Sequence, residues 1–129
     1  MPVIAAGGIS TANDVAKALS LGASAVQVGT AYLLCTETKT SQIQRAAIKS
    51  KKTRKTVITN IFSGRPVRGI ENRSIREIGP INADTPEFPL AAAAISALRT
   101  KAEAVGVEDF TPLWCGKISA AAVKFLLQN

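Results

Sequence analysis

Two short apolar runs, each closed by a glycine turn, constrain this chain more than any other feature. Pro2-Val-Ile-Ala-Ala6 ends at Gly7-Gly8, and Ala25-Val-Gln-Val28 ends at Gly29-Thr30. A run of this length that stops at glycine reads as a buried parallel strand meeting a sharp turn. Between the runs, Thr11-x-x-Asp14 has the form of a capping box with Asp in place of Glu. Val15, Ala16, Ala18 and Leu19 supply an apolar stripe, and Gly22 suits the stop after Leu21. Strand, helix and strand make a βαβ unit, whose crossover is expected to be right-handed.

Neighbouring parallel strands place their closing turns side by side on one rim of the sheet. Ligands of parallel α/β folds bind beyond the C-terminal strand ends, where loop amides and helix N-termini converge. Glycine allows positive φ and close approach of a phosphate, and its unpaired N–H supplies a donor. One such turn is explained well enough by a tight connection. Two of them, 22 residues apart and with the Thr30 hydroxyl beside one, favour a phosphate site.

The rest of the chain is punctuated more loosely. Ser41 to about Lys52 reads as a helix, with Ile43, Ala47 and Ile48 inward and its basic residues outward. Thr56–Asn60 leans to strand, and Ser63-Gly-Arg-Pro-Val-Arg-Gly69 reads as a loop. Asn72 to Ile78 suits a short helix. Pro80 to Pro89 is a surface connection, and Leu90 to Val105 is an Ala-rich helix stopped by Gly106. Thr111–Gly116 is a turn before a final amphipathic helix bearing Val123, Phe125, Leu126 and Leu127.

Composition removes several mechanisms. The chain has no His, which excludes an imidazole base or metal ligand of its own. Cys35 and Cys115 form no CxxC and lack a basic setting, so neither a zinc site nor a reactive thiol is expected. No metal site is expected at all. No apolar run approaches the roughly 18 residues of a membrane span, and no stretch has the order of a signal peptide. Cytoplasmic residence is the expectation. The net charge of +7 sits wholly in residues 45–76, which carry ten Lys or Arg against Glu71. With the single Trp and single Tyr both outside that segment, a solvated basic face is favoured over a nucleic-acid surface. Arg65 and Arg68 suit either an anionic ligand or loop anchoring. Trp114 suits a pocket mouth or packing, and Tyr32 a cofactor contact or packing.

Here the residues carry a family resemblance. Pro2-Val-Ile-Ala-Ala-Gly-Gly-Ile9 and Leu19-Ser-Leu-Gly-Ala-Ser-Ala-Val-Gln-Val-Gly-Thr30 resemble the FMN-phosphate half of nitronate monooxygenase, formerly 2-nitropropane dioxygenase. The likeness continues through Phe62-Ser-Gly-Arg-Pro-Val-Arg-Gly-Ile70, Asn72-Arg73, Pro86-Glu-Phe-Pro-Leu90 and Pro112-Leu-Trp-Cys-Gly116. The first block alone is shared with FMN-dependent enoyl-ACP reductases; the later blocks are more specific.

The resemblance implies an α/β fold, the C-terminal part of an FMN-dependent TIM (β/α)8 barrel followed by a helical extension. A complete barrel takes about 250 residues, so these 129 are expected to form a single partial domain. Residues 1–60 would hold the last barrel strands with the phosphate turns, and residues 61–129 a loop and helical C-terminal region. It further implies oxidation of alkyl nitronates, propionate 3-nitronate being typical, with dioxygen and no nicotinamide. By position, Gly7 and Gly8 would give backbone amides to the FMN phosphate and Gly29 and Thr30 would complete the cradle. Gln27 and Val28 would line the cofactor's approach. In the family, a Gln often follows the Trp-x-Gly turn; Lys117 stands there. The family's catalytic His belongs to the N-terminal half, so no catalytic residue is expected in this chain. It is expected to be inactive alone and to need that half or an oligomeric partner. The alternatives are an enoyl-ACP reductase-like fragment and a non-enzymatic basic protein that binds nucleic acid.

Overall fold

The computed structural model describes residues 1–50 and 55–117. They fall into two compact units, Met1–Thr53 with Gly116–Asn129, and Arg54–Cys115.

The first unit is built on the anticipated βαβ. Strands β1 (Ile4–Ala6) and β2 (Ala25–Gln27) run parallel, with Ile4 opposite Ala25 and Ala6 opposite Gln27. Helix α1 (Ala12–Ser20) connects them. Its start is fixed locally: the Thr11 hydroxyl accepts from the Asp14 amide at 3.2 Å. In return the Asp14 carboxylate accepts from the amides of Thr11 and Ser10 at 2.9 and 3.1 Å. The Thr11 hydroxyl, followed by these two amides, holds the Asp14 carboxyl below its usual range. At the other end Gly22 takes φ +97°, which a side chain would resist.

The expected burial of these strands is not met. Ile4 is 64% exposed, and no residue of α1 is buried. The physical reason is that a two-stranded sheet leaves both outer edges and much of its faces uncovered. The pattern of the sequence is that of a strand meant for two covered faces.

After β2 the chain makes one 3-10 segment, Thr30–Leu34, and then α2 (Gln42–Lys49), whose N-cap Ser41 accepts from the Gln44 amide at 3.2 Å. Ala47 and Ile48 are buried as expected, each only 1% exposed. Arg45 departs from expectation. Its guanidinium, expected outward, donates to the carbonyls of Leu34, Cys35 and Thr38 at 2.9, 2.7 and 2.9 Å, and to that of Thr40 at 3.2 Å. A planar fork of donors satisfies an irregular loop that lacks a ladder of its own. The expected end of this helix, at Lys51 and Lys52, lies outside the described residues.

In the second unit, β3 (Thr56–Thr59) pairs antiparallel with β4 (Val67–Ile70). The sequence pattern gives only a loop over 63–69, so β4 is a correction. Gly64, Pro66 and Gly69 hide it, yet Pro66 precedes the strand and Gly69 has a place within it. Gly69 bridges to Trp114, and a Cβ there would come within 3.1 Å of the Leu113 carbonyl oxygen. Helix α3 (Arg73–Ile78) follows a cap from buried Asn72, whose side-chain oxygen accepts from the Ile75 amide at 3.2 Å. Its side-chain amide nitrogen donates to the Thr111 carbonyl at 3.0 Å. Residues 80–89 form no regular element, and α4 (Leu90–Ala104) ends before Gly106 at φ +75°.

Ile61, Phe62 and Ile75 form one core cluster of this unit, with Val57, Ile95 and Trp114 packed against them. Trp114 meets Phe62 edge to face at 6.1 Å, which makes it a packing residue. Arg68 donates to the Thr56 carbonyl at 3.2 Å, and Arg65 lies 4.5 Å over the Phe88 ring. Lys55 pairs with Glu71 at 2.6 Å and Arg73 with Glu77 at 2.7 Å. Much of the basic segment is therefore engaged within the chain. Lys51, Lys52 and Arg54, which the nucleic-acid alternative would use together with Lys55, and the expected final helix over Val123, Phe125, Leu126 and Leu127, lie outside the described residues. Among the described residues, no helix is long and apolar enough to cross a membrane.

Candidate functional site

Parallel pairing of β1 and β2 in register puts Gly7 and Val28 at the same level, so the two glycine turns leave the sheet together. The result is a cavity of about 230 Å³ lined by Gly7, Gly8, Gln27, Gly29, Thr30 and Lys117 among others. Gly7 and Gly8 take φ +89° and +74° in succession, a conformation that only glycine adopts without strain. Among the described residues, the amides of Gly7, Gly8, Gly29 and Thr30 donate to no turn or loop hydrogen bond.

Gly29 differs from the other two. Its φ is −113°, and a Cβ built there would meet nothing within 4 Å. Its φ is outside the left-handed region, and among the described residues no neighbour demands glycine at this position. What the absent side chain preserves is open space on the cavity.

The far end of the described chain closes one side. The Gly116 amide donates to the Thr30 hydroxyl oxygen at 2.9 Å, and the Lys117 carbonyl lies 3.7 Å from where a Gly8 Cβ would stand. Thr30 accepts with its oxygen and so keeps its hydroxyl proton for another acceptor. Among the described residues that line this cavity none is a carboxylate, and Lys117 is the one that carries a charge. Asp14, nearby in sequence, is occupied by the α1 cap. Donors on several sides, one cation and no competing anion make a setting for a small anion. At about 230 Å³ the space is below the ~300–1,000 Å³ of pockets that engulf whole ligands, and is suited to one group of a larger molecule.

Of the six residues singled out from the sequence, the structure brings Gly7, Gly8, Gln27, Gly29 and Thr30 to this cavity. Val28 is on a second cavity of about 490 Å³, with Val15, Ala31, Tyr32, Leu34 and Cys35. Alternation along β2 separates Gln27 from Val28. Sequence reasoning missed Gly116 as a member of the site. Its partner is 86 residues away, and a Trp-x-Gly turn carries no local mark of such a contact. Neither Cys35 nor Cys115 forms a disulfide. Among the described residues, no His, Cys, Asp and Glu cluster could hold a metal.

Comparisons with known proteins bear on the family and the fold. The nitronate monooxygenase of Pseudomonas aeruginosa is 41% identical over 123 residues, covering 95% of this chain and 35% of the relative. A probable nitronate monooxygenase of Staphylococcus saprophyticus is 38% identical over 117 residues, 91% of this chain and 33% of the relative. The chain thus spans about a third of the length of the curated relatives it matches. Among solved structures, nitroalkane oxidase from Streptomyces ansochromogenes superposes with a TM-score of 0.81 and 32% identity, covering 99% of this chain and 38% of that one. FabK from Thermotoga maritima gives 0.65 and 27%, covering 99% and 42%. The α/β fold here is accordingly part of the TIM barrel of flavin-dependent oxidoreductases. The family model described as nitronate monooxygenase matches residues 1–125, and the chain belongs to that family.

Proposed function

We infer that this chain provides the FMN-phosphate subsite of an enzyme that oxidises alkyl nitronates with dioxygen. The observation that carries the reading is the pair of glycine turns around one anion-suited cavity, where among the described residues the turn amides donate to no turn or loop hydrogen bond and no carboxylate lines the space. The amides of Gly7 and Gly8 would hold one side of the phosphate; the amide of Gly29 and the amide and hydroxyl of Thr30 would hold the other. Gln27, on the same cavity, is placed to meet polar atoms beyond the phosphate. Val28, on the second cavity, is assigned as an apolar wall beside the cofactor's path rather than as part of the cradle. FMN bound here would supply the redox chemistry of nitronate oxidation. Small nitronates of the propionate 3-nitronate type are the proposed substrates.

The chain's own contribution is binding and orientation. It has no His to take a proton, so the acid–base group of the reaction is assigned outside these 129 residues. The exposed β1–β2 sheet is consistent with that division, since its faces await further strands. Two cysteines, neither in a disulfide, fit a reducing compartment such as the cytoplasm. The test is oxygen consumption with propionate 3-nitronate and added FMN. The 129-residue chain by itself is expected to retain little flavin through purification and to show no turnover. A yellow preparation that consumes oxygen with nitronate would overturn the division of labour. Oxidation of NAD(P)H with an enoyl thioester would instead favour the reductase-like alternative.

A further inference from the structure

We propose that Lys117 is the cationic partner of the bound phosphate, held in place by the hydrogen bond from Gly116 to Thr30. The inference rests on the phosphate reading above and adds to it the group that supplies charge. Backbone amides and a hydroxyl bring only partial charges, whereas a phosphate monoester carries close to two negative charges at neutral pH. Without a full positive charge nearby, such an anion keeps a large part of its preference for water.

Three features point to Lys117 as that charge. Among the described residues it is the one charged residue on the cavity. Among the described residues, no ion pair engages it. Its backbone is tied to the cradle on one side and lies beside it on the other: the Gly116 amide donates to Thr30 at 2.9 Å, and the Lys117 carbonyl is 3.7 Å from where a Gly8 Cβ would stand. Thr30 thereby has two tasks. Its oxygen accepts from Gly116 and orients the segment that carries the cation, while its proton remains for the phosphate. The arrangement also predicts selectivity. Phosphorylated flavin would be distinguished from riboflavin by the charge at this end, because a lysine contributes chiefly as a point charge.

The experiment is a phosphorus NMR titration of inorganic phosphate and of FMN with the parent chain, Lys117→Gln and Lys117→Arg, and a fluorescence titration of riboflavin, each at two salt concentrations. Lys117→Gln is expected to weaken phosphate and FMN binding about tenfold and to flatten its salt dependence. Lys117→Arg should stay near the parent, and riboflavin should not discriminate among the three. Equal FMN affinity and equal salt dependence in the parent and Lys117→Gln would overturn the role of Lys117 and leave the glycine cradle standing. A parent chain that shifts neither phosphate signal would remove the cradle and the lysine together.

Discussion

The Gly116 amide and the Thr30 hydroxyl meet at 2.9 Å although 86 residues separate them in sequence. This contact brings the segment around Lys117 against the turn that follows β2, and so makes one cavity out of three pieces of chain. A helix–strand unit alone would leave the glycine turns open on that side. The site is a product of a local motif and one long-range contact.

Gly64 is where a substitution should do most harm to the second unit. It takes φ +79°, and a Cβ would lie 2.4 Å from the Phe88 amide nitrogen and 2.6 Å from the Pro86 carbonyl oxygen. Both obstacles are backbone and neither yields to a rotamer change. Gly64→Ala is expected to destabilise the fold by about 3 kcal/mol or more, read as a fall in the urea midpoint. A change under about 1 kcal/mol would mean that this turn is not packed as described.

Arg45 should behave as a structural residue and not as a surface charge. Arg45→Ala removes the guanidinium donor from the carbonyls of Leu34, Thr38 and Thr40, and one of several donors from that of Cys35, which Thr38 also serves. A loss of about 2–4 kcal/mol is expected, with faster amide exchange through residues 34–40. A lysine in its place would restore the charge but not the fork, so Arg45→Lys should recover less than half of the loss. Full recovery would argue that charge alone matters there.

How far the fold could be read from the chain depended on distance. The first thirty residues declared themselves, because Thr11, Asp14, Gly22 and the two glycine turns act on neighbours a few positions away. β4 was missed for the opposite reason. Gly69 is there because the 113–114 backbone approaches it closely, a fact that no residue near 69 advertises. Arg45 was misjudged as a solvent-facing charge because its acceptors lie up to 11 residues back on an irregular loop. In the site, the glycines and Thr30 were legible from their turns, whereas Gly116 and the charge of Lys117 emerge only in three dimensions.

Acid should weaken the second unit through Glu103. Its carboxylate accepts from Arg99 at 2.7 Å and from buried Thr111 at 2.9 Å, and the Arg99 hydrogen bond is the main cause of a pKa below the usual value of 4.5. A group whose folded pKa is depressed stabilises above its unfolded pKa, and that stabilisation is lost as pH falls through the folded value. Stability should therefore be flat from pH 7 to about 5 and decline below about 4.5. In Glu103→Gln the decline should be shallower, with a lower plateau at neutral pH. Identical pH profiles for the two proteins would exclude this network from acid unfolding.

The central claim, that the paired glycine turns cradle the phosphate of FMN, is tested most directly at Gly29. A Cβ there would meet no described atom within 4 Å, so Gly29→Val should keep its thermal stability within about 1 kcal/mol of the parent. The space it fills is the one assigned to the phosphate. A phosphorus NMR titration of FMN is predicted to give at least about tenfold weaker binding for Gly29→Val than for the parent. FMN binding that is equally strong in the two folded proteins would contradict the phosphate cradle.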